Sequence, residues 1–294
     1  MCPLSKYLKQ MNSILPEQGD LEVSELDEGF SNHTYHVRWP YHLGIVVRIS
    51  ALNDVAFCVN RSAELEIWQK AAEYGLTARV LWQNELNVVA SEFLNGKTYS
   101  WDVQHTTLTL VPICQAMREL HSITAVSHEY DVFLLMASWL DHIEHHPNHH
   151  EIKDLYQQAS VFFQTLTMPV RPKRLSVCHN DLNPKNMLVK DGEVRLIDWE
   201  CAGMNDPLFD FAVLVHAHHL NDEQIKQAYL IIFEAKPDAQ HSAIITQYRQ
   251  AYVLRELIWL LLKHLVSGAQ DLDCLQWYHA LLTDPVFNPY FTAE

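Results

Sequence analysis

The run Val177–Phe211, VCHNDLNPKNMLVKDGEVRLIDWECAGMNDPLFDF, constrains this chain more than any other segment. Met187–Val189 and Val194–Ile197 read as two short strands. Asp191-Gly192 between them is a strong two-residue hairpin signal, because the favoured turn needs positive φ at both central positions. A hairpin here folds the chain back on itself, bringing Asn186, where the first strand begins, close to Asp198, where the second ends. Asp181 lies just upstream in a polar loop with Asn183, Pro184 and Lys185, a composition that continues neither a helix nor a strand.

Two carboxylates and an amide meeting at one point are what phosphoryl transfer needs. That chemistry asks a protein mainly to position the reactants and to neutralise charge on phosphate oxygens. Asp198 and Asn186 offer hard oxygen ligands of the kind Mg²⁺ takes. Asp181 is then left to accept a hydrogen bond from an attacking hydroxyl and aim it, as general base or positioning group.

The same residues carry a family resemblance. His179, Asp181 and Asn186 match His-x-Asp-x-x-x-x-Asn, and Asp198-Trp199-Glu200 matches the Asp-Trp-Glu or Asp-Tyr-Glu of the aminoglycoside phosphotransferase and choline kinase superfamily. With Ala202-Gly203 and Asp206-Pro-Leu-Phe-Asp210, the chain most resembles bacterial choline and thiamine kinases. The resemblance implies an α+β, bilobal protein-kinase-like fold with a small antiparallel-sheet N-lobe and a larger, mainly helical C-lobe. It also implies ATP and Mg²⁺ as cofactors, and structural roles for His179 and Asp210 in supporting the catalytic loop.

The chain's pattern agrees with two lobes. Residues 21–50 alternate in short runs, LEVSEL, HTYHVRW and LGIVVRIS, broken by Gly29, Pro40 and Gly44, and predict an antiparallel meander. Arg61–Tyr74 has helical spacing and stops at Gly75, and Val80–Trp82 and Val88–Phe93 read as further strands. After Gly96 the pattern turns helical, interrupted only by the hairpin. Expected boundaries are 1–93 for a nucleotide-binding N-lobe and 94–294 for the C-lobe, hinged near Glu92–Asn95.

The nucleotide contacts rest on the resemblance. Glu28-Gly29-Phe30-Ser31-Asn32 has one glycine and by itself reads as an ordinary turn, but it is similar to the short phosphate loop of choline and thiamine kinases, which implies Ser31 and Asn32 as contacts. Arg48 in Val46-Val47-Arg48-Ile49 stands where protein kinases carry lysine, with Glu64 of Arg61-x-x-Glu64 as its partner. Each charge could equally be solvated; their order ahead of the later motif favours the pair. Backbone groups of Glu92 and Leu94, beside Phe93, would meet the base.

For the acceptor, a cationic alcohol of the thiamine or choline type needs aromatic faces or acidic groups near its positive nitrogen. Candidates are Trp199 and Glu200, and on one later helix Glu256 and Trp259, with Tyr252, Arg255 and Lys263 nearby. Choline kinases offer two tryptophans three residues apart on a comparable helix; here Glu256 takes the first position, and Trp259 either stacks on the cation or fills the core.

Composition sets the remaining limits. With 294 residues, 48% apolar and 19% charged, the chain can bury a large core. Its net charge of −15 argues against nucleic acid and anionic membranes as partners. Six scattered cysteines, no secretory-type N-terminus and no long apolar window predict a cytoplasmic protein with reduced thiols. The histidine-rich run His142–His150 lacks cysteine partners and is broken by Pro147, so a solvated loop is expected. An ATP-dependent kinase of a small alcohol leads. An aminoglycoside-type phosphotransferase and a nucleotide-binding protein without transfer activity are the alternatives.

Overall fold

The structure, a computed structural model, describes residues 4–17, 19–26, 32–267 and 273–292. A short helix α1 (Ser5–Leu8) precedes three strands, β1 (Glu22–Glu25), β2 (Asn32–Trp39) and β3 (His42–Ser50), then helix α2 (Arg61–Glu73) and strands β4 (Val80–Gln83) and β5 (Val89–Glu92). The five strands form one antiparallel sheet in the order β1-β2-β3-β5-β4. Because side chains alternate across a strand, the sheet has two different faces. Tyr35, Val37, Ile45, Val47 and Ala90 point one way and close a small core with Leu4, Tyr7 and Met11. The opposite face carries Asn32, His36, Val46 and Arg48 toward the second lobe.

Helix α2 starts where Asn60 accepts the Ala63 N–H at 3.1 Å, and ends at Gly75, whose φ of +70° suits glycine. It buries Ile67, Trp68 and Ala71, while Glu64 is also buried and must find partners.

The second lobe follows with β6 (Lys97–Thr98), α3 (Thr107–Ser122), α4 (Val132–Glu144), α5 (Lys153–Thr165), β7 (Ser176–Cys178), β8 (Met187–Lys190), β9 (Glu193–Leu196) and β10 (Gly203–Asn205). It ends with α6 (Pro207–Ala217), α7 (Asp222–Phe233), α8 (Ala239–Ser267) and α9 (Asp273–Thr283). The β8–β9 hairpin turns at Asp191 and Gly192, with φ of +52° and +84°. Two pairings correct the expectation that this hairpin alone interrupts the helices. Strand β6 adds to β8, and β7 pairs with β10. Both involve two or three residues, too few to leave a period in the sequence.

Helix α6 is the buried axis of this lobe, with every residue from Leu208 to Ala217 enclosed. Asp206 caps it by accepting the Leu208 N–H at 2.9 Å, and Pro207 supplies the preset φ of a first helical position. Burying side chains such as Phe209 and Phe211 contributes about 1.5–3 kcal/mol each. This helix matters because Asp210 projects from it toward the loop that begins at His179. Helix α8 runs alongside, roughly 43 Å long at 1.5 Å per residue, and buries Tyr252, Arg255 and Lys263 together with its leucines. Among the described residues no helix is long and apolar enough to cross a membrane.

Candidate active site

The loop from His179 to Asn186 is held from beneath by α6. Asp210 accepts the backbone N–H of His179 at 2.9 Å and of Asn180 at 2.6 Å, and the His121 ring bonds the same carboxylate at 3.1 Å. These bonds stabilise an unusual backbone, since Asn180 has φ of +63°. His179 is enclosed, its Nε2 donating to Ile197 O at 2.9 Å. His121, Cys178 and Asp210 bring potential metal-ligand atoms within 4.8 Å of one another. Those atoms are already employed: the carboxylate takes three donors, and burial pushes the Cys178 thiol well up, away from the thiolate a metal binds.

Asp181 sits above this base with both carboxylate oxygens engaged. Oδ2 accepts Asn186 Nδ2 at 2.7 Å and Asn183 Nδ2 at 3.1 Å, and Oδ1 accepts Arg255 Nη2 at 2.7 Å. Asn186 Nδ2 also donates to Asp181 O at 2.9 Å, which turns the amide oxygen away for another partner. Asn183 shapes the turn by accepting the N–H groups of Lys185 and Asn186. Asp198 is brought alongside because Ile197 N donates to Asn186 O at 3.0 Å, one step beyond the β8–β9 ladder. Asp198 has φ of +65°, a conformation aspartate tolerates better than most residues. Its Oδ1 is buried without a hydrogen-bond partner among the described residues. Burial first, then the charge of Glu200, pushes its pKa well above the usual carboxylate range, against the pull of Arg48 at 4.0 Å.

Across the gap, Arg48 and Glu64 form a buried ion pair, and the Arg48 guanidinium lies 5.3 Å from the centre of the Trp68 ring. Glu64 also accepts Arg61 Nη1 at 2.9 Å, so two arginines share it. Burial opposes ionisation of Glu64, yet the two guanidiniums outweigh it and hold the carboxyl below its ordinary range. Arg61 further bonds Asp54 at 2.9 Å and Ser50 at 2.7 Å. Sequence reasoning treated Arg61 only as a motif position, although the Arg-x-x-Glu spacing on a helix places the two side chains on one face.

Several assignments change. Trp199 is fully enclosed, donating its indole N–H to Thr77 Oγ1 at 3.2 Å and lying 4.8 Å from the His179 ring, so it packs the core instead of meeting an acceptor. Glu200 points to the first lobe, 3.4 Å from Asn32 Nδ2 and 3.5 Å from Arg61 Nη1, and not toward α8. Glu256 follows Arg255 and accepts its Nε at 2.8 Å. Trp259 is half-buried, 6.0 Å from the Phe57 ring, with the Lys263 ammonium 5.0 Å from its own ring centre. Glu92 N donates to Arg79 O at 3.0 Å and Leu94 O accepts Gly96 N at 3.0 Å, and the Leu94 N–H has no backbone acceptor among the described residues. Phe93 stacks on His36 with ring centres 3.8 Å apart. Ser31, with the glycine turn before it, lies outside the described residues. In the His142–His150 run, His142, His145 and His149 each turn Nδ1 onto a backbone carbonyl. Among the described residues that run gathers no set of three ligand atoms.

Comparison with known proteins adds to this geometry. The family model for choline/ethanolamine kinases matches residues 23–255. A stretch of 49 residues is 53% identical to protein LicA of Haemophilus influenzae, covering 17% of this chain and only 18% of that relative's length. Choline kinase LicA from Streptococcus pneumoniae superposes with a TM-score of 0.68 at 18% identity, over 94% of this chain and 98% of that one. Aminoglycoside 2′-phosphotransferase-IIIa, in its GDP complex, superposes with a TM-score of 0.67 at 15% identity, over 99% and 100%. Both structural likenesses establish the bilobal kinase-like fold, and they do so about equally, so shape alone does not choose an acceptor.

Proposed function

Because the chain belongs to the choline/ethanolamine kinase family, we propose that it transfers the γ-phosphoryl group of ATP to the hydroxyl of a small cationic alcohol, of the choline or ethanolamine type. The observation that carries this reading is that one loop and hairpin bring Asp181, Asn186 and Asp198 together, with the Asn186 amide nitrogen committed to Asp181 and the Asp198 Oδ1 buried and accepting no hydrogen bond among the described residues. An unpaired buried carboxylate oxygen is costly, and a divalent cation would satisfy it. Asp198 and Asn186 would hold Mg²⁺, which when bound supplies charge neutralisation to the phosphate oxygens.

The chain's own residues account for the rest. Arg48, fixed by Glu64, would meet the nucleotide phosphates, Asn32 would lie over them, and the Leu94 N–H with the Glu92 backbone would meet the base. The acceptor hydroxyl would donate to Asp181. Its oxygen forms the new bond to phosphorus as the bond to the β–γ bridging oxygen breaks, ADP leaves, and the hydroxyl proton passes to Asp181. Glu256, which shares the Arg255 guanidinium with Asp181, and Trp259, one turn further along α8, would accommodate the positive nitrogen. Thiamine meets the same chemical demands with a larger body.

An ADP-release assay with choline, ethanolamine, thiamine and an aminoglycoside tests the reading. Choline or ethanolamine should give the highest kcat/KM. Preference for the aminoglycoside, or no release with any cationic alcohol from folded protein, would overturn it.

A further inference from the structure

We propose that Arg255 is the positioning residue of the transfer site: from α8 it fixes which oxygen of Asp181 receives the acceptor hydroxyl. The inference rests on the kinase reading above and concerns a residue whose helix suggested only acceptor contact.

Arg255 is 3% exposed, and burying a guanidinium is costly unless its donors are used. Here all five N–H groups have an acceptor within reach. Nε donates to Glu256 Oε1 at 2.8 Å. Nη1 donates to Asn180 O at 2.6 Å and to Tyr130 OH at 3.3 Å. Nη2 donates to Asp181 Oδ1 at 2.7 Å and lies 2.7 Å from Glu256 Oε1. The Tyr252 ring backs the guanidinium at 5.0 Å. One planar group thus grips the catalytic carboxylate and the carbonyl of the residue before it, which has positive φ.

The division of donors on Asp181 supplies the functional argument. Oδ2 already takes two N–H groups, from Asn183 and Asn186, and a carboxylate oxygen has two lone-pair directions in its plane. Among the described residues Oδ1 takes only the Arg255 donor and keeps one direction open. The hydroxyl therefore approaches Oδ1, and Arg255 sets the rotation of the carboxylate that aims it. The same contact spends Glu256 Oε1 internally, so Glu256 offers a substrate its other oxygen.

Lysine at 255 keeps the charge but cannot fork, which makes Arg255→Lys the informative variant. A misdirected carboxylate lowers kcat by about 10²-fold, the cost of displacing a reacting group by about 1 Å. Nucleotide KM should stay unchanged. In an Asp181→Asn background the same substitution should change kcat less than about twofold, the non-additivity of residues acting as a unit. The double-mutant cycle is read with the best alcohol and, in parallel, with water as acceptor. Wild-type kcat in Arg255→Lys, or an equal loss with and without Asp181, overturns the proposal while the kinase reading stands. A wild type that transfers to water but to no alcohol overturns the acceptor reading alone, and the water cycle then decides on Arg255. One that transfers to neither overturns both.

Discussion

Asp181→Asn lowers kcat by about 10²–10⁴-fold, the range that a positioned proton acceptor contributes, while ADP affinity stays nearly unchanged. The substitution preserves the shape of the side chain and its bonds to the loop can largely persist, since an amide oxygen can still accept from Asn183 or Asn186. What is lost is the negative charge that faces Arg255 and that, in the proposed transfer, would receive the hydroxyl proton. Steady-state ADP release and calorimetric titration with ADP separate the two quantities. Turnover equal to wild type would remove Asp181 from the reaction. A parallel loss of nucleotide affinity would instead mean that the loop had collapsed.

Asp198→Ala abolishes the Mg²⁺ dependence of nucleotide binding and removes nearly all turnover. Metal-ion stabilisation is worth several kcal/mol, and at about 1.4 kcal/mol per tenfold the loss is on the order of 10³-fold or more. The substitution should not unfold the protein, because the carboxylate it deletes is poorly satisfied without a cation. Its Oδ1 accepts no hydrogen bond among the described residues, and burial with Glu200 nearby disfavours its charged form. Truncation therefore removes an unfavourable group from the metal-free protein, and the melting temperature without Mg²⁺ should hold or rise. Titration of ADP with and without Mg²⁺ checks the first outcome, and a thermal melt the second. A variant with the full metal response would contradict the assignment.

The β8–β9 hairpin was legible in the sequence because its signals are local. Asp191-Gly192 dictates a turn through positive φ at adjacent residues, and a two-residue turn leaves no choice about which strand ends meet. Order along the chain then brought Asp181, Asn186 and Asp198 together. The meander of β1 to β3 was legible for the same reason, through alternation broken by glycine and proline.

What was missed involves partners far apart in sequence. Arg255 reaches Asp181 across 74 residues, Glu200 reaches Asn32 across 168, and Trp199 reaches Thr77 across 122. No periodicity records such contacts; they follow from how the lobes and helices stack. Trp199 illustrates the difficulty. Its place between Asp198 and Glu200 suggested the site, yet the ring turns into the core, where Thr77 accepts its indole N–H. Glu200, next along, turns outward to the first lobe, where Arg61 supplies the compensating charge. Trp259 divides its surroundings between Phe57 and Lys263, so an aromatic cage for a cation could not be read from spacing alone.

Crystals grown with ADP and Mn²⁺ in place of Mg²⁺ test the central claim most directly, because the manganese anomalous signal locates the ion independently of the refined protein. The account predicts a peak within about 2.0–2.3 Å of an Asp198 carboxylate oxygen and of Asn186 Oδ1, oxygen-ligand distances expected of a small divalent cation, with Asp181 beside it and free of the metal. A peak bound elsewhere, or one that takes Asp181 as a ligand and leaves Asn186 out, would contradict it.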